Sequence, residues 1–364
     1  MILRIPTLKI GNLEVKVPII QGGMGVGISL SGLASAVANE GGIGVIATAG
    51  IGMFEPDFGT NPKEANLRAL RKEIRQAREA TKGVIGVNIM LALTDYSELC
   101  LTAVKEGADI IFLGAGLLLK DPTILPIDKL KRSTTKVAPI VSSARAIQII
   151  FQNWSRLYNY IPDAVVVEGP LAGGHLGYKK SEIDDDNFKL EKILPEVVSV
   201  VHSFEQQFNK KVPVIAAGGI YTGQDILKFM QLGASGVQMG TRFVATEECD
   251  ASNEFKQTYI NASKDDIVII NSPVGMPGRA IKNKFIDDFN NGKKEPVSCP
   301  YHCLKPCDYQ NAPYCIALAL TNAKKGRFNF GFAFAGANAY LIDKIITVKE
   351  LIQSLLLEYE LALG

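Results

Sequence analysis

Short apolar runs alternate along the first 246 residues with longer stretches whose apolar positions recur every three or four residues. The short runs are Val17 to Gln21, Ile43 to Ala47, Val84 to Asn88, Asp109 to Gly114, Val137 to Val141, Val165 to Glu168, Val212 to Ala217 and Gly236 to Met239. Each is nearly continuous rather than alternating, the pattern of a parallel strand buried on both faces. Between them lie helical segments: Leu33 to Ala38, a charged one from about Pro62 to Thr81, Asp95 to Lys105, Ser143 to Trp154, Pro195 to Phe208 and Gly223 to Gln231. Their charged positions suit a solvated outer face.

Eight strand-then-helix units with short links predict an α/β fold of the (β/α)8 TIM-barrel type. A doubly wound sheet is the alternative, because the strand pattern alone does not show closure. After Thr246 the alternation stops. Residues 1–249 are therefore read as the barrel and 250–330 as a smaller, mainly helical lid domain over its mouth. Residues 331–364 form a C-terminal segment whose amphipathic helix, Val348 to Leu363, returns to the barrel wall.

Composition narrows the function classes. Hydrophobic residues make up 47% of the 364 and charged residues 21%, which supports a large core and excludes global disorder. A net charge of +2, from 39 basic and 37 acidic residues, gives no reason to expect nucleic acid or an anionic membrane as partner. The start of the chain lacks a basic region followed by a long apolar stretch, and no apolar run reaches spanning length, so a cytoplasmic location is expected.

Cys100 and Cys249 stand apart, whereas Cys299, Cys303, Cys307 and Cys315 crowd one segment. Their spacing, C-x3-C-x3-C-x7-C, matches neither the usual zinc pairs nor the ferredoxin patterns. Pro300 and Pro306 also break any single helix that could present the first three together. A four-cysteine cluster can hold zinc or an iron–sulfur centre, but on this spacing the four are read as structural thiols and no metal is expected. His202 and His302 are read as structural or solvated.

The candidate chemistry lies at the carboxyl ends of the strands, which converge on one face of a barrel. Val165-Val166-Val167 runs into Glu168 and then into a loop, Gly169-Pro170-Leu171-Ala172-Gly173-Gly174-His175-Leu176-Gly177, that carries four glycines and one histidine. Glycines there let backbone approach a ligand where a Cβ would collide. The other strand ends contribute Gly22, Gly23, Met24, Asn88, Gly218, Gly219, Gln238, Met239, Gly240 and Thr241. Ala217-Gly218-Gly219-Ile220 and Gln238-Met239-Gly240-Thr241, each followed by a helix start, form the kind of anion site that barrels use for a phosphate group. No P-loop pattern occurs, and Gly22 to Gly27 is a poor dinucleotide fingerprint, so a mononucleotide fits better.

These segments, in this order, resemble the nitronate monooxygenases, formerly called 2-nitropropane dioxygenases. The residues carrying the resemblance are Pro18 to Gly25, Gly86-Val87-Asn88, Glu168 to His175, Ala216 to Ile220 and Gln238 to Arg242, with Ala172-Gly173-Gly174-His175 the most specific. The resemblance implies FMN on a TIM barrel, with Asn88, Glu168, Gly173, Gly219 and Gln238 to Thr241 at the flavin, and Gly240 and Thr241 at its phosphate. It places His175 at the catalytic position, with a nitronate or nitroalkane as small-molecule substrate and O2 as co-substrate, and leaves room for a homodimer. The same elements resemble flavin-dependent enoyl-acyl carrier protein reductases and quinone reductases, in which NAD(P)H would be the electron donor. A flavin-binding scaffold without activity would need neither His175 nor both phosphate-type loops. One departure is that Val141-Ser142-Ser143-Ala144-Arg145 offers serines where many members of the family carry a basic residue.

Overall fold

A computed structural model describes residues 4–117, 127–295, 297–299 and 301–364; Met1 to Leu3 and Pro300, read above from the sequence, lie outside them. Eight parallel strands close into a barrel: β1 (Ile19–Gln21), β2 (Ile43–Ala47), β3 (Val84–Met90), β4 (Ile110–Gly114), β5 (Lys136–Val141), β6 (Val165–Glu168), β7 (Val214–Ala217) and β8 (Gly236–Met239). Each pairs with its neighbours in chain order, and β8 pairs with β1. Closure excludes the doubly wound alternative.

The continuous apolar runs have a simple cause. Val166 on β6 points into the barrel with Ile20, Ile43, Ile110, Phe112 and Ile215, while Val165 and Val167 face the helices outside. Both faces are buried, so nothing selects for polar residues at alternate positions. Each such side chain contributes about 1.5–3 kcal/mol relative to exposure. An N-terminal hairpin that the run pattern did not reveal, Leu8–Ile10 with Leu13–Val15, adds Leu8, Ile10 and Val15 to the interior cluster. It packs at the amino ends of the strands, where Gly236 meets Leu8, and leaves the carboxyl ends for a site.

The helices are α1 (Ser31–Asn39), α2 (Pro62–Ala80), α3 (Tyr96–Lys105), α4 (Ile127–Arg132), α5 (Ala144–Tyr158), α6 (Leu190–Phe208), α7 (Gly223–Gln231) and the short α8 (Thr241–Val244). Pro62 opens α2, where its missing N–H costs nothing. Thr222 and Asp225 cap α7 reciprocally. Several expected boundaries move, two of them at proline. Helix α6 begins five residues before Pro195 because Leu190, Ile193 and Leu194 are buried and anchor its first turns. Strand β7 begins at Val214, after Pro213, which has no N–H for the ladder.

Beyond the barrel lie α9 (Asn253–Ile260), α10 (Lys284–Asn290) and α11 (Ile316–Lys324). The region expected to be mainly helical also holds an antiparallel hairpin, β9 (Ile267–Asn271) with β10 (Pro277–Ile281). Its run Ile267 to Ile270 lies beyond the regular strand–helix alternation, and its partner strand contains a proline and a glycine. Helix α12 (Val348–Leu363), capped by Thr347 and Glu350, packs against α7 as the C-terminal segment returns to the barrel. Among the described residues no helix is long and apolar enough to cross a membrane.

Candidate active site

A cavity of ≈ 330 Å³ opens at the carboxyl ends of the strands. All the residues singled out above line it: Gly22, Gly23 and Met24 after β1, Asn88 on β3, Glu168 ending β6, Gly173, Gly174 and His175, Gly218 and Gly219 after β7, and Gln238 to Thr241 from β8 into α8. Strand register brings the last two groups side by side, since Ala217 pairs with Gln238.

Three of these glycine positions are dictated by geometry, Gly174 with a φ of +81° among them. Gly218 and Gly219 have φ of +92° and +83°, the left-handed region that disfavours other residues. A Cβ on Gly218 would lie 2.7 Å from the Gly169 carbonyl oxygen, so the β7 loop and the β6 loop touch backbone to backbone. At Gly23 the requirement is space alone, because a Cβ there would lie 2.3 Å from Cβ of Asn88.

The loop after β6 is held from a distance. Gly174 and His175 form a short strand against β10, with His175 opposite Gly278 and Gly174 opposite Arg279. The Arg279 side chain is buried, and its Nη1 donates to the carbonyls of Pro170 and Ala172, both at 2.6 Å. Ser272, next to the end of β9, bonds His175 Nε2 through its hydroxyl at 2.6 Å. Phe334 packs edge-on against the imidazole at 5.0 Å. No bond among the described residues uses His175 Nδ1. Burial pulls the imidazole down to about 4, so at neutral pH the ring is uncharged.

Glu168 responds in the opposite direction. Burial pushes its carboxyl up to about 7, and no side-chain hydrogen bond to it occurs among the described residues. The folded protein thus holds this proton more tightly than the unfolded chain. The resulting stability is fully present below the unfolded value near 4.5 and is lost as pH rises through about 7. Glu168→Gln, neutral throughout, is expected to unfold like the parent near pH 4 but to be more stable, by on the order of 2 kcal/mol, near pH 8. Thermal unfolding of flavin-free protein at the two pH values tests this; equal stability at both would refute it.

Sequence reasoning missed the far side of the cavity. Asn338 Nδ2 donates to the Gly219 carbonyl at 2.7 Å, and Gly336 N–H donates to Thr241 Oγ1 at 3.0 Å. Gly336 to Asn338 thus clamp both glycine-bearing strand ends. Ser272, Arg279 and Asn338 carry no local motif, and only Gly-Met-Pro-Gly at Gly275 to Gly278 hinted at a turn. Met53, Phe58, Leu304, Ile316 and Leu320 make much of the remaining wall apolar. Among the described residues no lysine or arginine lines the cavity, and Arg145 is exposed outside it while Ser143 caps α5.

His202 is exposed and meets Glu205, in keeping with a solvated role. The cysteine segment borders the cavity through Cys303 and Leu304. Burial, then the neighbouring thiols of Cys315, Cys299 and Cys307, push the Cys303 thiol up to about 12.

The chain matches the family described as nitronate monooxygenase over residues 7–358. A probable nitronate monooxygenase of Staphylococcus saprophyticus is 29% identical over 325 residues, covering 82% of this chain and 84% of the relative. The structure of FabK from Thermotoga maritima superposes with a TM-score of 0.73 at 30% identity, covering 96% of this chain and 94% of that one. A nitroalkane oxidase from Streptomyces ansochromogenes, 21% identical with a TM-score of 0.71 and coverage of 95% and 96%, shares the fold.

Proposed function

The chain belongs to the nitronate monooxygenase family of oxidoreductases, and from that premise we propose that it uses FMN and O2 to oxidise alkyl nitronates to carbonyl compounds and nitrite. Three features of the cavity support FMN. The backbone N–H groups of Gly219, Gly240 and Thr241 enter no bond among the described residues and converge from adjacent strand ends, as an anionic phosphate group requires. The side-chain amides of Asn88 and Gln238 line the cavity and are likewise uncommitted, which suits the polar edge of a flavin ring. Gly174, with nothing within 4 Å of the place a Cβ would take, keeps open a surface that any side chain would fill.

FMN, when bound, supplies the one-electron and oxygen chemistry that side chains lack. The chain's own contribution centres on His175, and its imidazole at the cavity wall, bonded to Ser272 and packed on Phe334, is the observation that carries the reading. An imidazole that is neutral down to about pH 4 is a weak base for removing a proton from a neutral nitroalkane. It is a good hydrogen-bond donor to a nitronate, which already carries the negative charge. With Nε2 accepting from the Ser272 hydroxyl, the ring proton sits on Nδ1, the nitrogen without a partner among the described residues. Preformed nitronates are therefore favoured over nitroalkanes.

A second reading rests on the likeness to FabK and on the apolar wall. A reductase taking hydride from NAD(P)H and passing it to an enoyl thioester or quinone would use such a wall for its substrate. The two readings separate in one experiment. The purified protein is scanned for flavin absorbance, and NADH, NADPH and a nitronate are then added anaerobically in separate cuvettes. Yellow protein bleached by nitronate alone is the expected outcome. Rapid bleaching by NAD(P)H selects the reductase, and colourless protein that does not take up FMN overturns both.

A further inference from the structure

The four clustered cysteines occupy a place that their spacing did not suggest. Between α10 and α11 the described chain is irregular apart from an isolated bridge between Leu93 and Leu304. That bridge fixes the segment to the loop after β3, with Thr94 N–H donating to the Cys303 carbonyl at 3.1 Å and Lys305 N–H to the Ala92 carbonyl at 2.9 Å. So held, Cys299, Cys303, Cys307 and Cys315 all line one small pocket of ≈ 20 Å³, together with His302. The His302 N–H donates to Cys299 Sγ at 3.2 Å, a bond that favours the thiolate, and its Nε2 meets the Cys307 carbonyl at 2.9 Å. His302 adopts a φ of +50° to do so.

Four thiols around one pocket is a donor set, and the pocket shows which kind. A single zinc ion draws four sulfurs to about 2.3 Å from one point. Among the described residues no group of three or more Cys, His, Asp or Glu is arranged to hold a metal ion. Between these thiols lies instead a space above the roughly 10–15 Å³ that a water molecule needs. Four cysteines that line one space rather than meet at a point suit a ligand with internal volume. Cys299, Cys307 and Cys315 are half-exposed on irregular backbone, which lets the walls adjust around such a ligand.

We propose that Cys299, Cys303, Cys307 and Cys315 bind a [4Fe–4S] cluster, one thiolate to each iron. The pocket shares Cys303, Leu304, Ile316 and Ala317 with the wall of the main cavity, so the cluster lies directly beside the proposed flavin. Only that adjacency rests on the flavin reading; the cluster site itself stands on the four thiols.

The test is elemental and spectroscopic. Protein purified anaerobically, or reconstituted with ferrous iron and sulfide under reducing conditions, is expected to hold about four iron and four sulfide per chain. It should show a broad visible band and, after dithionite reduction, an electron paramagnetic resonance signal. Cys303→Ser and Cys299→Ser should each lower the iron content at least several-fold and abolish that signal, while Cys100→Ala, which alters a buried thiol remote from the pocket, should retain both. Circular dichroism and flavin content report separately whether each variant has folded, and Cys299→Ser, at the more exposed position, serves if Cys303→Ser does not fold. Stoichiometric zinc without iron, four freely titrating thiols in reconstituted protein, or iron unchanged in a folded cysteine variant would overturn the proposal. Flavin content and nitronate turnover are measured independently, so failure here leaves the proposed reaction intact and the reverse also holds.

Discussion

His175→Ala is expected to retain FMN and to turn over nitronates roughly 10²–10³-fold more slowly, the loss typical of removing one donor that stabilises developing or transferred negative charge. The imidazole reaches the cavity from a strand that belongs to the hairpin sheet, and its backbone partner, Gly278, does not depend on the side chain. Removing the ring therefore leaves the loop in place and deletes only its polar group at the cavity wall. Ser272→Ala separates positioning from contact. It should lower kcat by a smaller factor, because the ring keeps its place against Phe334 but loses its bond to the Ser272 hydroxyl. A flat pH profile for nitronate oxidation between about pH 5 and 6.5 is expected on the imidazole side, since a ring with its transition near 4 does not titrate there. Unchanged turnover in His175→Ala would remove this residue from the mechanism, and loss of FMN with it would reassign it to flavin binding.

Arg279→Ala should have the largest effect on stability, on the order of 3–5 kcal/mol, as for breaking a buried charged interaction. The guanidinium is 5% exposed, and burial pulls it below the usual arginine value while Asp184 opposes the shift. Its two short bonds are to carbonyls of the loop that carries Gly173, Gly174 and His175. Truncation leaves both carbonyls buried without this donor, at about 1–3 kcal/mol each, and empties the volume of the side chain. Arg279→Met fills most of that volume and restores neither bond, so it isolates the effect on the loop. Weaker flavin binding in Arg279→Met, measured by fluorescence titration, is the specific expectation. Equal melting temperature and equal flavin affinity in both variants would show that the loop holds its shape without the guanidinium.

The barrel was legible because its strands satisfy two burial demands at once. Val165, Val166 and Val167 face core on both sides, so the sequence shows an uninterrupted apolar run that few other environments produce. Among the boundaries that moved, those at Pro195 and Pro213 did so where local hydrogen bonding competes with burial. The N-terminal hairpin and β9–β10 were not legible as pairs, since Lys9 and Glu14 interrupt the apolar positions of the first and Pro277-Gly278 opens one strand of the second. The strand-end half of the cavity followed from the barrel directly, because closure brings all the carboxyl ends to one face and the glycines there mark close backbone approach.

The sequence by itself determined which groups the strand ends present: the glycine pairs Gly22-Gly23, Gly173-Gly174 and Gly218-Gly219, the single Gly240, two side-chain amides, one carboxyl and one histidine. Those are local properties, set by residue type and strand period. Only the tertiary structure decided their chemical states and their neighbours. Ser272 reaches His175 across 97 positions, and Asn338 reaches Gly219 across 119. Burial, a property of the whole assembly, moves Glu168 up and His175 down. The same holds for the cysteines, whose spacing argued for structural thiols, whereas an irregular segment bonded to the loop after β3 brings all four around one pocket. Pairing at such separations leaves no periodic trace in a chain, because it is selected by the shape of the surface on which the segment lands.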